Sequence, residues 1–322
     1  MNIRKLLSWL GIGKPMPAIQ SASVVPDEPQ EVNPLPAYFA LSWAERRQRV
    51  LDHSYDGFNG GFAAANSAEI KRMALARGDH AQLHVIFNIG ADALAEYMRS
   101  DNYKNIYECP MVGSKVLKPS ATRRQVDELI GLAPAENFYF CAASIGGTGM
   151  RYYGEYCVAL KSPDDQVSVK EGLDRNSYDL IKAPLAALLD VDNPKSRVDR
   201  LKFKFRSTEF ADMLAVKVLQ HQGFRPRLLT AGNIGEAVLS DEDYVELFHE
   251  DKIRRNTILE VRSHPEDEMT ETAIQARWER GGIVSPQQLL WLQRRQAARK
   301  AMDANDIVHR VVSGSGRVYR WS

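Results

Sequence analysis

Polar side chains interrupt otherwise apolar stretches of this sequence, and these are the residues that could do chemistry. His84 and Asn88 lie in the run QLHVIFNI (82–89), whose apolar character predicts a buried strand. A single histidine in such a strand is either a core residue with satisfied hydrogen bonds or a group that contacts a ligand. Both interpretations stay open for His84.

A second set lies in residues 138–160, FYFCAASIGGTGMRYYGEYCVAL. Its apolar ends predict two strands. The GGTG cluster (146–149) predicts a hairpin connection rather than a phosphate loop, because strand formers and not a helix follow the glycines. Arg151 and Glu155 are separated by an even number of residues, so they share a face of a strand. They form either a partly buried ion pair or a cleft wall in which Arg151 binds an anionic group such as a pyrophosphate.

Glu236 opens a predicted strand (235–239) after the turn AGN (231–233). A carboxylate at this place either points into a cleft, where it stabilises an oxocarbenium-like centre, or is solvated at the end of the strand. The acidic residues that follow predict a solvated loop and sheet edge; they are Asp241, Glu242, Asp243 and Glu246.

The elements that must position these residues alternate irregularly. Strand patterns between 82 and 262 are interrupted by helical patterns such as 123–130 and 210–222, which predicts an α+β fold with a mixed, largely antiparallel sheet and peripheral helices. The predicted organisation is an amphipathic N-terminal segment (1–14), a proline-rich linker (15–40), the α+β body (41–264) and a charged helical C-terminal appendage (265–322).

Composition excludes several classes of protein. The hydrophobic share of 44% and the charged share of 26% are ordinary for a globular chain, and a net charge of +1 removes any global argument for nucleic-acid binding. No stretch approaches the roughly 20 apolar residues of a membrane span. The three cysteines lie in apolar surroundings, which predicts buried thiols and a reducing, cytoplasmic location. Their spacing and that of the histidines predict no metal site.

Two terminal segments predict partners. The segment 1–14 has one apolar helical face, and it packs on the body, binds a protein partner or touches a membrane weakly. Near the other end lies a predicted helix with a basic run, which is either a solvated face or a contact for nucleic-acid phosphates. The basic residues are Arg294, Arg295, Arg299 and Lys300.

Three pieces of the chain occur in an order that resembles ADP-ribosyltransferase-like domains, including some bacterial DNA- or protein-modifying toxins. The first piece is the strand 84–89 with the helix after it, the second is the aromatic strand 138–144, and the third is the Glu236 strand followed by the strand 258–261. The chain departs from the family pattern because position 234 is isoleucine, so no Glu-x-Glu or Gln-x-Glu doublet is present. In addition, no arginine opens the first strand.

The resemblance implies an enzyme that binds NAD and either transfers ADP-ribose or hydrolyses NAD. In that case Glu236 orients the nicotinamide ribose and stabilises the positive charge that forms as the glycosidic bond breaks. The implied NAD-binding residues are His84, Asn88, Ser144 and Arg151. Two alternatives stay open. One is a non-catalytic protein-interaction module with a tethered N-terminal arm, and the other is a nucleic-acid-associated protein.

Overall fold

The computed structural model describes residues 44–45, 48, 60–108, 111–112, 115–116, 119–161, 168–181, 202–221 and 244–312. In chain order the strands are β1 (His84–Ile89), β2 (Met111–Val112), β3 (Lys115–Val116), β4 (Tyr139–Ser144), β5 (Tyr156–Leu160), β6 (Val169–Leu173), β7 (Lys202–Lys204), β8 (Glu246–His249), β9 (Ile258–Ser263) and β10 (His309–Val311). The α-helices are α1 (Gly60–Leu75), α2 (Ala91–Ser100), α3 (Ala121–Ile130), α4 (Thr208–His221), α5 (Pro265–Glu279) and α6 (Pro286–Asp303).

Eight of the described strands form one sheet in the order β10-β9-β5-β1-β4-β8-β6-β7. Neighbouring strands are antiparallel except for β9 and β10, which run parallel. Strands β2 and β3 form a separate antiparallel pair. Helices surround the sheet, so the predicted α+β fold with a mixed, largely antiparallel sheet is confirmed.

The connection between β4 and β5 is a crossover and not a hairpin, so this part of the prediction is wrong. Strand β1 lies between the two, because Ile86 pairs with Ala142 of β4 on one side and with Ala159 of β5 on the other. Both neighbours are antiparallel to β1 and are therefore parallel to each other, and parallel strands need a connection that crosses the sheet. Residues 145–155 make this crossover, and they contain a 3-10 turn at Arg151–Tyr153 where a strand was expected.

Helices cover the two faces of the sheet. Helix α3 packs on a face that includes Phe140 and Phe248, which are direct partners in β4 and β8. Helix α6 packs on the opposite face, where the guanidinium of Arg295 lies 4.8 Å from the ring of Tyr156. The ends of both helices follow from local sequence. Ser120 accepts a hydrogen bond from the third residue of α3, and Ser285 begins a capping box at α6.

The described residues after 264 form helices α5 and α6 and strand β10, which joins the main sheet. Strand β10 pairs with β9 from His309 to Val311, and α6 packs against α2. Both belong to the single unit Pro36–Ser322, which contains all the described residues. The predicted segment 1–14, most of the linker and body up to residue 59, and the Glu236 strand lie outside the described residues.

Candidate functional site

A cavity of about 200 Å³ opens where β1 and β4 separate. The two strands pair only as far as Ile86 and Ala142, and beyond this point β4 pairs with β8 while β1 pairs with β5. The aromatic residues of the wall are Phe87, Tyr103, Tyr139, Phe140, Tyr153, Tyr178 and Tyr244. The polar and charged ones are Asn88, Lys104, Asn105, Arg123, Asn176 and Glu246.

Glu246 is the buried carboxyl of this cavity, with only 3% of its surface exposed. It stands opposite Ala142 in the sheet, and its Oε2 accepts a hydrogen bond of 2.8 Å from the backbone N–H of Ser177. Burial raises the pKa of Glu246, while the positive charge of Arg123 opposes this rise. The prediction of a solvated sheet edge is wrong for Glu246, because β8 is an inner strand between β4 and β6.

Arg123 connects the cavity to a buried polar network on α3. Its Nε donates to Asp127 at 2.7 Å and its Nη1 donates to the hydroxyl of Ser177 at 2.9 Å. The guanidinium lies over the rings of Phe140 and Tyr178, at 4.0 and 5.0 Å from their centres. Arg123 and Asp127 are both almost fully buried, so the positive charge that reaches the cavity is largely offset by its own partner.

Asn88 of β1 forms hydrogen bonds with the backbone of the crossover. Its Nδ2 donates to the carbonyls of Thr148 and Gly154 at 2.9 and 3.0 Å, and its Oδ1 accepts from the N–H of Met150 at 2.8 Å. The sequence singled out Asn88 as a ligand contact, and the structure shows its amide engaged by three backbone groups. Asn88 lines the cavity and also fixes the segment that brings Met150 and Tyr153 to the wall.

Arg151 and Glu155 do not form an ion pair with each other, which was one of the two predictions for them. Arg151 donates to Asp267 at 2.7 Å and to Glu266 at 3.4 Å, both in the first turn of α5. Glu155 instead accepts a hydrogen bond of 3.2 Å from the backbone N–H of Ala91, the first residue of α2. A negative charge is stabilised at this end of a helix. The even spacing does not put the two residues on one strand face, because Arg151 belongs to the 3-10 turn and Glu155 precedes β5.

His84 and Ser144 face each other at the end of β1 away from the cavity. Burial lowers the pKa of His84 to about 4, and the nearby charge of Arg262 adds to this effect. Its Nδ1 is buried without a hydrogen-bond partner, and the Ser144 hydroxyl donates to the carbonyl of Gly146 at 2.5 Å. Neither residue lines the cavity. Glu236, the predicted catalytic residue, lies outside the described residues.

Carboxylates neutralise three of the four charges in the predicted basic helix. Arg294 pairs with Asp92 at 3.6 Å, Arg295 with Glu271 at 2.7 Å, and Arg299 with the same Glu271 at 2.8 Å. Arg295 is fully buried, so it belongs neither to a solvated helix face nor to a surface that contacts phosphates. Lys300 is exposed.

Metal and membrane features are lacking in the described part of the chain. It contains no group of three or more His, Cys, Asp or Glu side chains placed to hold a metal ion. Among its helices, none combines the length and the apolar composition that a membrane crossing requires. Cys141 and Cys157 are buried free thiols, and burial raises the pKa of Cys157 to about 12.

Comparison with protein-family models, curated proteins and solved structures finds no match to this chain. The function must therefore be inferred from the geometry of the cavity. Its central charged residues are Glu246 and Arg123, for which the sequence predicted no role in a site. Two signals were available: a single carboxylate in the apolar run YVELF (244–248), and the helical i, i+4 spacing of Arg123 and Asp127.

Proposed function

We propose that the cavity binds the nicotinamide riboside end of NAD and that Glu246 supports cleavage of its glycosidic bond. ADP-ribose then passes to an acceptor or to water. The observation that carries this proposal is the buried carboxyl of Glu246, which is fixed by a backbone N–H in a cavity walled by tyrosine and phenylalanine rings. Preorganised charges and dipoles in a site that excludes water usually make the largest single contribution to the stabilisation of a charged transition state.

The size of the cavity supports a ligand of one ring system. Its volume of about 200 Å³ is below the roughly 300–1,000 Å³ of sites that enclose whole drug-sized molecules. The rings of Tyr153 and Tyr178 belong to its wall and suit a flat aromatic ligand. A dinucleotide would therefore insert one end and leave the rest outside.

Ser177 fixes the carboxyl of Glu246. Its backbone N–H donates to Oε2 at 2.8 Å, and its hydroxyl also hydrogen-bonds the carboxyl. Burial disfavours the carboxylate, but a cationic nicotinamide ring beside it would favour the ionised form.

The chemistry proposed for Glu246 is electrostatic. The bond between the ribose C1′ and the nicotinamide nitrogen breaks, and its electron pair stays on the nitrogen, which becomes neutral. The positive charge moves to the ribose, where the carboxylate of Glu246 stabilises it. Water or an acceptor group then forms the new bond to C1′ and releases one proton to solvent. Within the described residues, Glu246 takes the role that the family resemblance gives to Glu236.

The experiment measures nicotinamide release from labelled NAD, with and without cell extract as a source of acceptors, and NAD binding by calorimetry. We expect Glu246→Gln to lower the release rate by about 10² or more. Glutamine keeps the shape of the side chain and an oxygen for the Ser177 N–H. Glu171→Gln is the matched control, because this glutamate is exposed on β6 outside the cavity.

Two results would count against the proposal. Absence of both NAD binding and nicotinamide release by the unmodified chain would reject it. Loss of activity in Glu236→Gln with full activity in Glu246→Gln would move the catalytic role back to the residue that the sequence singled out.

A further inference from the structure

We propose that Lys104 binds a phosphate group of the ligand, so that the cavity selects nucleotides over nucleosides. The inference rests on the proposed function for the nicotinamide ligand. It uses an ammonium group at the cavity wall, which can bind a phosphate whichever base enters the cavity.

Among the described residues, Lys104 is the cation of the cavity wall that lacks a carboxylate partner. The charged side chains that line the cavity are Lys104, Arg123 and Glu246. Arg123 is paired with Asp127, and both are buried. Glu246 is close enough to Arg123 for that charge to oppose the rise in its pKa. The ammonium of Lys104, by contrast, forms no ion pair within 4.0 Å with any carboxylate in the part of the chain that the structure describes.

The backbone around Lys104 is fixed on both sides while its side chain is exposed. Tyr103 stacks on Phe87, with ring centres 4.1 Å apart. Asn105 is buried, and its amide donates to the carbonyl of Glu136 at 2.6 Å and accepts from the N–H of Tyr107 at 2.9 Å. The Cα of Lys104 is therefore held at the cavity wall, and its long stem reaches out from a defined point.

Glu108 is the first carboxylate after Lys104 in the chain, and its other contacts make it unavailable to Lys104. Glu108 pairs with Lys252 and also accepts from the backbone N–H of Asn105 at 2.9 Å. These contacts lower the pKa of Glu108 against the effect of burial, so it stays ionised and occupied. Among the described carboxylates, none would thus compete with an anion for the Lys104 ammonium. Because the cavity encloses one ring system, the phosphate of a nucleotide would lie outside it, at the exposed wall.

The test compares ligands that differ only by a phosphate. Calorimetry measures Kd for nicotinamide mononucleotide against nicotinamide riboside, and for adenosine monophosphate against adenosine, with the full chain and its Lys104→Gln variant. We expect Lys104→Gln to raise Kd for the phosphorylated member by about tenfold, equivalent to about 1.4 kcal/mol, and to leave the nucleoside unchanged. The difference should shrink at high salt.

Arg124→Gln is the matched control, because Arg124 is an exposed cation on α3 that does not line the cavity. Equal losses in Lys104→Gln and Arg124→Gln would overturn the inference, since they would indicate only a general field. So would equal losses for nucleotide and nucleoside, or no loss. Selective binding of adenosine monophosphate through Lys104, without any binding of nicotinamide ligands, would support the inference and reject the proposed function. No binding of any of the four ligands would reject both.

Discussion

The carboxamide oxygen of Asn88 occupies the space that a β-carbon on residue 149 would need, so only glycine fits where the crossover passes over β1. A β-carbon there would also lie 2.8 Å from Cδ1 of Ile86. Gly149 has a φ of +66°, which side chains rarely adopt. Steric and conformational requirements therefore coincide at this position.

The first prediction follows from a comparison of two glycines. We expect Gly149→Ala to lower the free energy of unfolding by about 3 kcal/mol or more, because both the close contact and the positive φ oppose it. Gly146→Ala is the control. Gly146 has a φ of +75° but no atom within 4 Å of its β-carbon position, so the loss should be about 1 kcal/mol. Urea denaturation measures both, and equal losses would contradict the contact with Asn88.

The second prediction concerns the buried pair Arg123–Asp127. Removing one partner leaves the other charge buried, so Arg123→Gln and Asp127→Asn should each destabilise the fold by about 3–5 kcal/mol. The double variant should lose clearly less than the sum of the two. The exposed pair Glu69–Arg72 is the comparison, and Arg72→Gln should change stability by less than about 1 kcal/mol. Additive losses at 123 and 127 would show that the pair is not coupled.

The third prediction is a pH dependence caused by Glu246. Its pKa in the folded chain is raised above the ordinary value of 4.5, so protonation favours folding. The stabilising contribution is complete below 4.5 and is lost as the pH rises through the folded pKa. A glutamine amide cannot titrate, so the melting temperature of Glu246→Gln should rise relative to the unmodified chain between pH 4 and pH 8. Glu171→Gln is the comparison variant, because this glutamate is exposed on β6 outside the cavity. A fall in the relative melting temperature of Glu246→Gln over this pH range would mean that Arg123 stabilises the ionised carboxylate of Glu246.

The fourth prediction concerns His84 and has the opposite sign. Burial holds its folded pKa at about 4, below the ordinary 6.5. Stability from the neutral imidazole is complete above pH 6.5 and is lost as the pH falls toward 4, with a slope of at most about 1.4 kcal/mol per pH unit. His84→Gln should remove this part of the acid sensitivity. His80→Gln, at an exposed site, is the control. Unchanged acid sensitivity in His84→Gln would contradict the burial of the ring.

Much of the local structure could be predicted because it depends on short stretches of sequence. The run 82–89 predicted the strand observed as His84–Ile89, and the pattern 210–222 predicted the helix observed as Thr208–His221. Ser285 before Pro286 is a sequence typical of a helix start, and the capping box of α6 forms there. Apolar periodicity and helix caps involve residues within one or two turns of each other, so they can be recognised in a single sequence.

The neighbours of each strand could not be predicted in the same way. The glycine cluster at 146–149 predicted a hairpin, yet β1 separates the two strands that it connects. A tight turn and a crossover both require glycine, and the choice between them depends on a strand that lies well before the cluster in the chain. Arg151 likewise takes its partner Asp267 from a helix that is far away in sequence.

For the candidate site, the sequence alone shows that an apolar strand carries Asn88 and that the glycine-rich segment 146–149 must bend. The roles of these residues depend on elements that are distant in sequence. The tertiary structure places the amide of Asn88 under the crossover, puts Glu246 on an inner strand and brings Arg123 to the same cavity. Burial and charge pairing depend on which elements pack together, and this packing joins residues that are far apart in sequence. A carboxylate next to an acidic loop in sequence is solvated on an edge strand and desolvated on an inner one, and strand order alone distinguishes these outcomes.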